Sequence, residues 1–158
     1  MKIYHLRRTQ FLPLTITEAW TFFSSPANLG KITPTDMNFR ILYSSGGDET
    51  YAGKIIRYKI GALPLITLEW MTEITHVDVP FRFVDEQRFG PFAFWHHQHS
   101  YKEVPGGIEM TDDLHYAIPL GILGRLAHWL FVGARVNAIF DYRTEVLTKL
   151  FPVSPGRK

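Results

Sequence analysis

The sequence predicts an α+β domain in which a curved, seven-stranded antiparallel sheet wraps around one long C-terminal helix. Three observations lead there. Six segments rich in β-branched and aromatic residues follow one another between residues 39 and 118, separated by short turn-forming stretches. From Ile122 to Leu150 there is no proline, and apolar residues recur at helical spacing. The two remaining helical signals are short and lie between the first strand and the second. No strand alternates with a crossover helix, so a parallel sheet is not expected.

Taken in order, residues 2–11 read as the first strand, followed by Pro13. Thr15-Ile16-Thr17-Glu18 has the S/T-x-x-E form of a capping box, in which the two side chains satisfy each other's free backbone N–H groups. It predicts a helix from Ile16 to Phe23, stopped near Ser25-Pro26 because the residue before proline avoids the helical region. Pro26, suited to a first helical position, opens a second short helix from Pro26 to Lys31. The strands that follow are Phe39–Ser44, Thr50–Ile60, Ile66–Val77, Phe81–Phe89, Phe94–Val104 and Gly107–Ile118. Gly46-Gly47-Asp48, Gly61–Pro64, Asp78/Pro80, Gly90-Pro91 and Pro105-Gly106-Gly107 separate them. Links this short imply a meander.

The last segment is helical. Leu126, Leu130, Gly133, Val136 or Asn137, and Phe140 share one strip, and Leu123, Ala127, Phe131, Ala134 and Ala138 make a second. Its first half, apolar nearly all round, reads as a helix covered on most sides. The second half, with Asp141, Arg143, Glu145 and Lys149, reads as amphipathic. A helix with an apolar face needs a sheet to lie on. Residues 1–151 form one domain on this reading, and 152–158 a loose tail.

Composition narrows the function. A chain of 158 residues with 46% hydrophobic and 20% charged side chains suits a single globular domain. Zero cysteines exclude disulfides, thiolate metal sites and thiol nucleophiles, and fit a reducing cytoplasm. The N-terminal segment lacks a signal-peptide core, and Arg125 and His128 break the longest apolar stretch as a membrane span. Seventeen basic and fifteen acidic residues are interspersed, so the basic patch of a nucleic-acid binder is missing. No phosphate-binding loop and no G-x-S-x-G elbow is present. The anomaly is aromatic content, 15% of the chain, which fits strands or an aromatic-lined cavity.

Several segments carry a resemblance. They are Pro80-Phe81-Arg82-Phe83-Val84-Asp85-Glu86-Gln87, Gly90-Pro91-Phe92, Trp95-His96-His97-Gln98-His99 and Thr111-Asp112-Asp113. Tyr116, Pro119-Leu120-Gly121, Gly124-Arg125 and Ile139-Phe140-Asp141-Tyr142-Arg143 complete the set. With them the chain resembles, over nearly its whole length, the START-like, Bet v 1-like (SRPBCC) superfamily of helix-grip proteins. Within it the chain looks like the bacterial branch labelled coenzyme Q-binding or polyketide-cyclase-like. The resemblance implies a helix-grip fold with a hydrophobic cavity, in a family of carriers, sensors and cyclases.

Strand alternation assigns the lining. Trp95, His97, His99 and Tyr101 share one face of their strand, and Met110, Asp112, Leu114 and Tyr116 one face of the next. Pairing Glu103 with Ile108 across Pro105-Gly106 sets Tyr101 opposite Met110, His99 opposite Asp112, His97 opposite Leu114 and Trp95 opposite Tyr116, so both inward faces coincide. Phe81, Phe83, Asp85 and Gln87 share a face of the preceding strand. With Leu126 and Leu130 from the helix, these fourteen residues are the expected ligand-binding set. Buried charge must be paired or hydrogen-bonded. One reading makes His99–Asp112 a satisfied buried pair with His97 bonded to Asp85 or Gln87. A second has these groups orient the polar head of an apolar ligand. A two-histidine, one-carboxylate metal site ranks below both, for want of thiolates or a third histidine on that face. No cofactor and no metal is therefore expected. His5, His76, His115 and His128 read as surface or packing residues.

The function expected is binding or carriage of a lipid, quinone or polyketide-like molecule, without catalysis. One alternative is a cyclase or aromatase using His97, His99, Asp112 and Tyr116, with a histidine as base and Tyr116 as donor. Another is a protein-interaction module, which needs no cavity. Gly61–Ile66 and Leu120–Leu123 are apolar turns at the expected mouth, where this reading places any transient membrane or protein contact.

Overall fold

The computed structural model describes residues 1–63 and 66–153. Of the tail expected at 152–158, residues 154–158 lie outside the described residues. The strands are β1 (Tyr4–Leu12), β2 (Arg40–Ser44), β3 (Ile55–Leu63), β4 (Ile66–Asp78), β5 (Arg82–Phe89), β6 (Phe94–Val104) and β7 (Gly107–Ala117). They form one antiparallel sheet in the order β1-β7-β6-β5-β4-β3-β2, a meander closed by the first strand. Irregular pairing at Met71/Thr72 and Ile74/His76 of β4, and at Ile41/Tyr43 of β2, bends the sheet. The β6–β7 register is the expected one, with Glu103 opposite Ile108 and His99 opposite Asp112. Gly107 lies so close to β1 that an added Cβ would sit 2.2 Å from the Leu12 carbonyl oxygen.

Helix α1 spans Ile16–Phe23, as predicted. Thr15 Oγ1 accepts from the Glu18 N–H at 3.2 Å, and Glu18 Oε2 accepts from the Thr15 N–H at 2.8 Å. Helix α2 (Pro26–Leu29) is shorter than expected; Gly30–Ile32 continue it as a 3-10 turn, and a second such turn, Thr35–Met37, was not anticipated. The third strand starts at Ile55, not Thr50. Lys54 is the reason. Its side chain is fully buried, and its ammonium donates to the carbonyls of Gly47 at 2.5 Å and Glu49 at 2.8 Å. Those bonds fold residues 45–54 into a loop that no strand propensity can override.

The C-terminal helix has three parts: α3 (Gly121–Ala127), a π-helical turn (His128–Val132) and α4 (Gly133–Leu150). Val136, Phe140, Arg143 and Leu147 form the buried stripe of α4. In α3 only Gly124 is buried. An added Cβ there would lie 1.9 Å from the Pro119 carbonyl oxygen, so α3 seats on the preceding turn only because this residue has no side chain. The expected cover over the first half of the helix is absent among the described residues. Ile122, Leu123, Leu126, Trp129 and Leu130 are all more than half exposed. No helix among the described residues is long and apolar enough to cross a membrane.

Two apolar clusters flank the concave face. One joins α1 and the 3-10 turns to β3, β4 and β6 through Ala19, Met37, Tyr58, Trp70 and Tyr101. The other, Leu6, Leu114, Tyr116, Val136 and Phe140, fastens α4 to β1 and β7. Between helix and sheet they leave an open volume.

Candidate functional site

That volume is a cavity of about 1090 Å³. Its walls are apolar, with Phe22 and Phe23 of α1, Tyr58 and Trp70 of the sheet, Phe92 of the β5–β6 connection and Ile139 and Phe140 of α4. Leu130 and Phe131 lie at the helix side. Arg135 Nη2 meets Asp36 Oδ2 at 2.9 Å, tying α4 to the Thr35–Met37 turn at the cavity wall. Trp70 is buried, and its indole N–H has no hydrogen-bond partner among the described residues. An unmet buried donor costs about 1–3 kcal/mol.

One wall is charged. Asp85, His97, His99 and Arg143 face the cavity, with Asp112 fully buried behind them. Cross-strand pairing puts Asp85 opposite His97, and His99 opposite Asp112. His99 Nε2 lies 2.9 Å from Asp85 Oδ2, and Trp95 Nε1 donates to Asp85 Oδ1 at 3.3 Å. His97 Nε2 lies 3.1 Å from Asp112 Oδ1. His99 Nδ1 approaches the same oxygen at 2.9 Å, an ion-pair distance without hydrogen-bond alignment. Arg143 Nε stands 3.4 Å from Asp112 Oδ2, its guanidinium over the Phe23 ring.

Burial pushes both carboxyls up, but the charges around them win. Arg143 and the bonds from both imidazoles hold Asp112 well below the usual carboxylate range. The bond from His99 and the charge of the two imidazoles hold Asp85 below it. Burial, then the neighbouring charge of His99, lowers His97. For His99 burial is outweighed by the two carboxylates, and its value rises. Arg143 and the two imidazoles thus surround the two carboxylates on this wall.

The signs fix a pH profile. Asp85 and Asp112, depressed in the fold, contribute stability present above the unfolded value of about 3.9 and lost as pH falls through the folded values. His97, also depressed, contributes stability that is lost as pH falls below about 6.5. His99, raised, contributes stability that is complete below about 6.5 and lost as pH rises through its folded value. Unfolding free energy should therefore peak near the ordinary histidine value and fall on both sides. Denaturant midpoints across about pH 4 to 9 measure this; a plateau above the peak would contradict the raised value of His99.

Of the fourteen expected ligand-binding residues, Phe83, Asp85, Trp95, His97, His99 and Leu130 line the cavity. Tyr101, Met110, Asp112 and Leu114 are buried behind it, Tyr101 stacked on Phe23. Phe81 is half exposed just before β5, and Leu126 is exposed on α3. Gln87, expected near His97, instead donates to the Phe92 carbonyl at 2.6 Å and accepts from the Phe92 N–H at 3.2 Å. Tyr116 does not join the histidine pair. Its hydroxyl bonds His128 Nε2 at 2.9 Å, and that ring stacks on Tyr4. Sequence reasoning missed Arg143, although it continues the Val136–Phe140 spacing, and missed Tyr58, Thr72 and Trp70.

Comparisons with solved structures match the architecture over nearly the whole chain. The ginseng major latex-like protein 151 from Panax ginseng has a TM-score of 0.66 at 9% identity, covering 96% of this chain and 99% of that one. The fold is the Bet v 1-like helix grip. A protein from Chromobacterium violaceum shares the helix grip at a TM-score of 0.72 and 10% identity, covering 96% of this chain and 99% of its own. A protein from Thermus thermophilus gives 0.67 at 15%, covering 93% and 99%. No family model matches the sequence, and no curated protein does. The helix grip accounts for the placement of the cavity, and the bacterial branch is not distinguished by these likenesses.

Proposed function

We propose that the protein binds a hydrophobic small molecule with one polar end, of the lipid, quinone or polyketide class, between sheet and C-terminal helix. The observation that carries this reading is the apolar cavity of about 1090 Å³ with its polar groups gathered on one wall. Ligand sites of about 300–1,000 Å³ have this character, with apolar area for affinity and few polar groups for orientation. The cavity favours binding over a module that needs none. Cyclisation receives less support, because Tyr116, its expected proton donor, is engaged by His128.

The ligand reaches the cavity from an apolar phase on this reading. Leu130 and Phe131 line the cavity and continue into the exposed strip Leu120, Ile122, Leu123, Leu126 and Trp129. No acidic residue stands between Asp113 and Asp141. An apolar strip with a tryptophan and no acid suits a lipid interface. The other expected contact, Gly61–Ile66, falls partly outside the described residues.

Native mass spectrometry of protein purified from its host, followed by organic extraction, tests the reading. The expected result is an apolar molecule retained at one per chain and released by denaturation. Protein that carries none, and that takes up no quinone or fatty acid offered in vesicles, would overturn it.

A further inference from the structure

The polar wall has a geometry that orientation of a ligand head does not require. Asp85 Oδ2 is 2.9 Å from His99 Nε2 and 3.6 Å from His97 Nδ1. One donor atom from each of the three residues lies within 4.8 Å of the other two. An ion held at about 2.0–2.2 Å from each donor places donors roughly 3–3.5 Å apart, and both Asp85–histidine distances are close to that range.

The opposite ring nitrogens lie beside a further carboxylate. His97 Nε2 and His99 Nδ1 both turn to Asp112 Oδ1, at 3.1 and 2.9 Å. A carboxylate bonded behind an imidazole, as Asp112 is to His97, is a usual support of a metal-bound histidine, because it fixes the tautomer that leaves the other nitrogen's lone pair free. Arg143 neutralises Asp112 from the far side, so that carboxylate steadies the rings without competing as a ligand. With its proton on Nε2, His97 aims a lone pair from Nδ1 at Asp85 Oδ2. Two acceptors then face each other, an arrangement that a cation between them relieves.

We propose that Asp85, His97 and His99 hold one divalent transition-metal ion, with its remaining coordination positions open to the cavity. Two imidazoles and one carboxylate favour the zinc, cobalt and ferrous class over magnesium or calcium. The open positions would take an oxygen donor of the cavity's occupant. The inference needs no organic ligand, so it stands or falls separately from the binding function above.

A second cluster, His5, Asp113 and His115, lies on the outer face and would also collect ions. The test therefore uses full-length His5→Ala/His115→Ala protein, stripped with a chelator and titrated with Co²⁺ alone. Expected are one equivalent by elemental analysis and a visible d–d absorption band. Asp85→Asn and His97→Gln should abolish the band while circular dichroism stays that of a folded protein. Asp112→Asn should weaken Co²⁺ binding by about 10–100-fold, the usual cost of an outer support. Failure of the background protein to bind Co²⁺ would overturn the proposal. So would binding unchanged in folded Asp85→Asn and His97→Gln.

Discussion

Asp112→Ala should lower stability by about 3–5 kcal/mol, the usual result of removing one partner from a buried charged set. The carboxylate is fully buried and meets His97, His99 and Arg143. Its removal leaves the guanidinium and two buried imidazoles without their shared carboxylate. Asp113, the next residue, points to the other face and meets His5 at 2.9 Å and Arg7 at 4.0 Å, both well exposed. Exposed pairs are worth about 0–1 kcal/mol, so Asp113→Ala should cost little. The double variant His99→Ala/Asp112→Ala should be more stable than the two single losses imply, by about 0.5–3 kcal/mol. Urea denaturation of all four variants decides. Equal effects at 112 and 113, or strictly additive losses, would mean that the pair contributes nothing as a pair.

Arg143→Met should cost a similar amount, about 3–5 kcal/mol, for the complementary reason. It leaves Asp112 as a buried anion without its permanent cation. The guanidinium also lies 5.5 Å from the centre of the Phe23 ring and 3.8 Å from Met110 sulfur, so the cation joins α4 to α1 and β7. Arg143→Lys keeps the charge but loses the planar group, and should recover only part of the loss. Thermal and urea unfolding of both variants measure it. A lysine variant no better than methionine would assign the loss to packing instead of charge.

Much of this was legible in the residues. Period-two alternation along Trp95–Tyr101 and Met110–Tyr116 put the histidines and Asp112 on the inner face. The Pro105-Gly106 turn then set their register, because a slip by one would have turned every side chain outward. The capping box marked α1 to the residue. Arg143 was not legible in the same way. A search for apolar repeats treats a charge as solvent-facing, although Val136, Phe140, Arg143 and Leu147 are spaced as one face. Leu126 was assigned inward by uniform helical spacing, which the π turn at His128–Val132 interrupts. Periodicity also reports which face is apolar, not what covers it, so the exposure of Ile122 and Trp129 had no signal. The loop at residues 45–54 depends on where the Lys54 ammonium lands, a tertiary fact.

Strand β1 pairs with β7 along its whole length, from Tyr4 opposite Tyr116 to Leu12 opposite Ile108. Strand β1 must therefore wait for β7, the last of the described strands. Until then β2 to β6 can zip hairpin by hairpin, but β1 has no partner and α4 has no complete sheet to lie on. Such distant closure slows folding, because the loop entropy is lost before the contacts form. A chain cut short within β7 would keep an unpaired first strand and a sheet edge exposed at β6, which is a template for aggregation. The exposure to misassembly thus lasts until residues 107–117 are available to pair with β1.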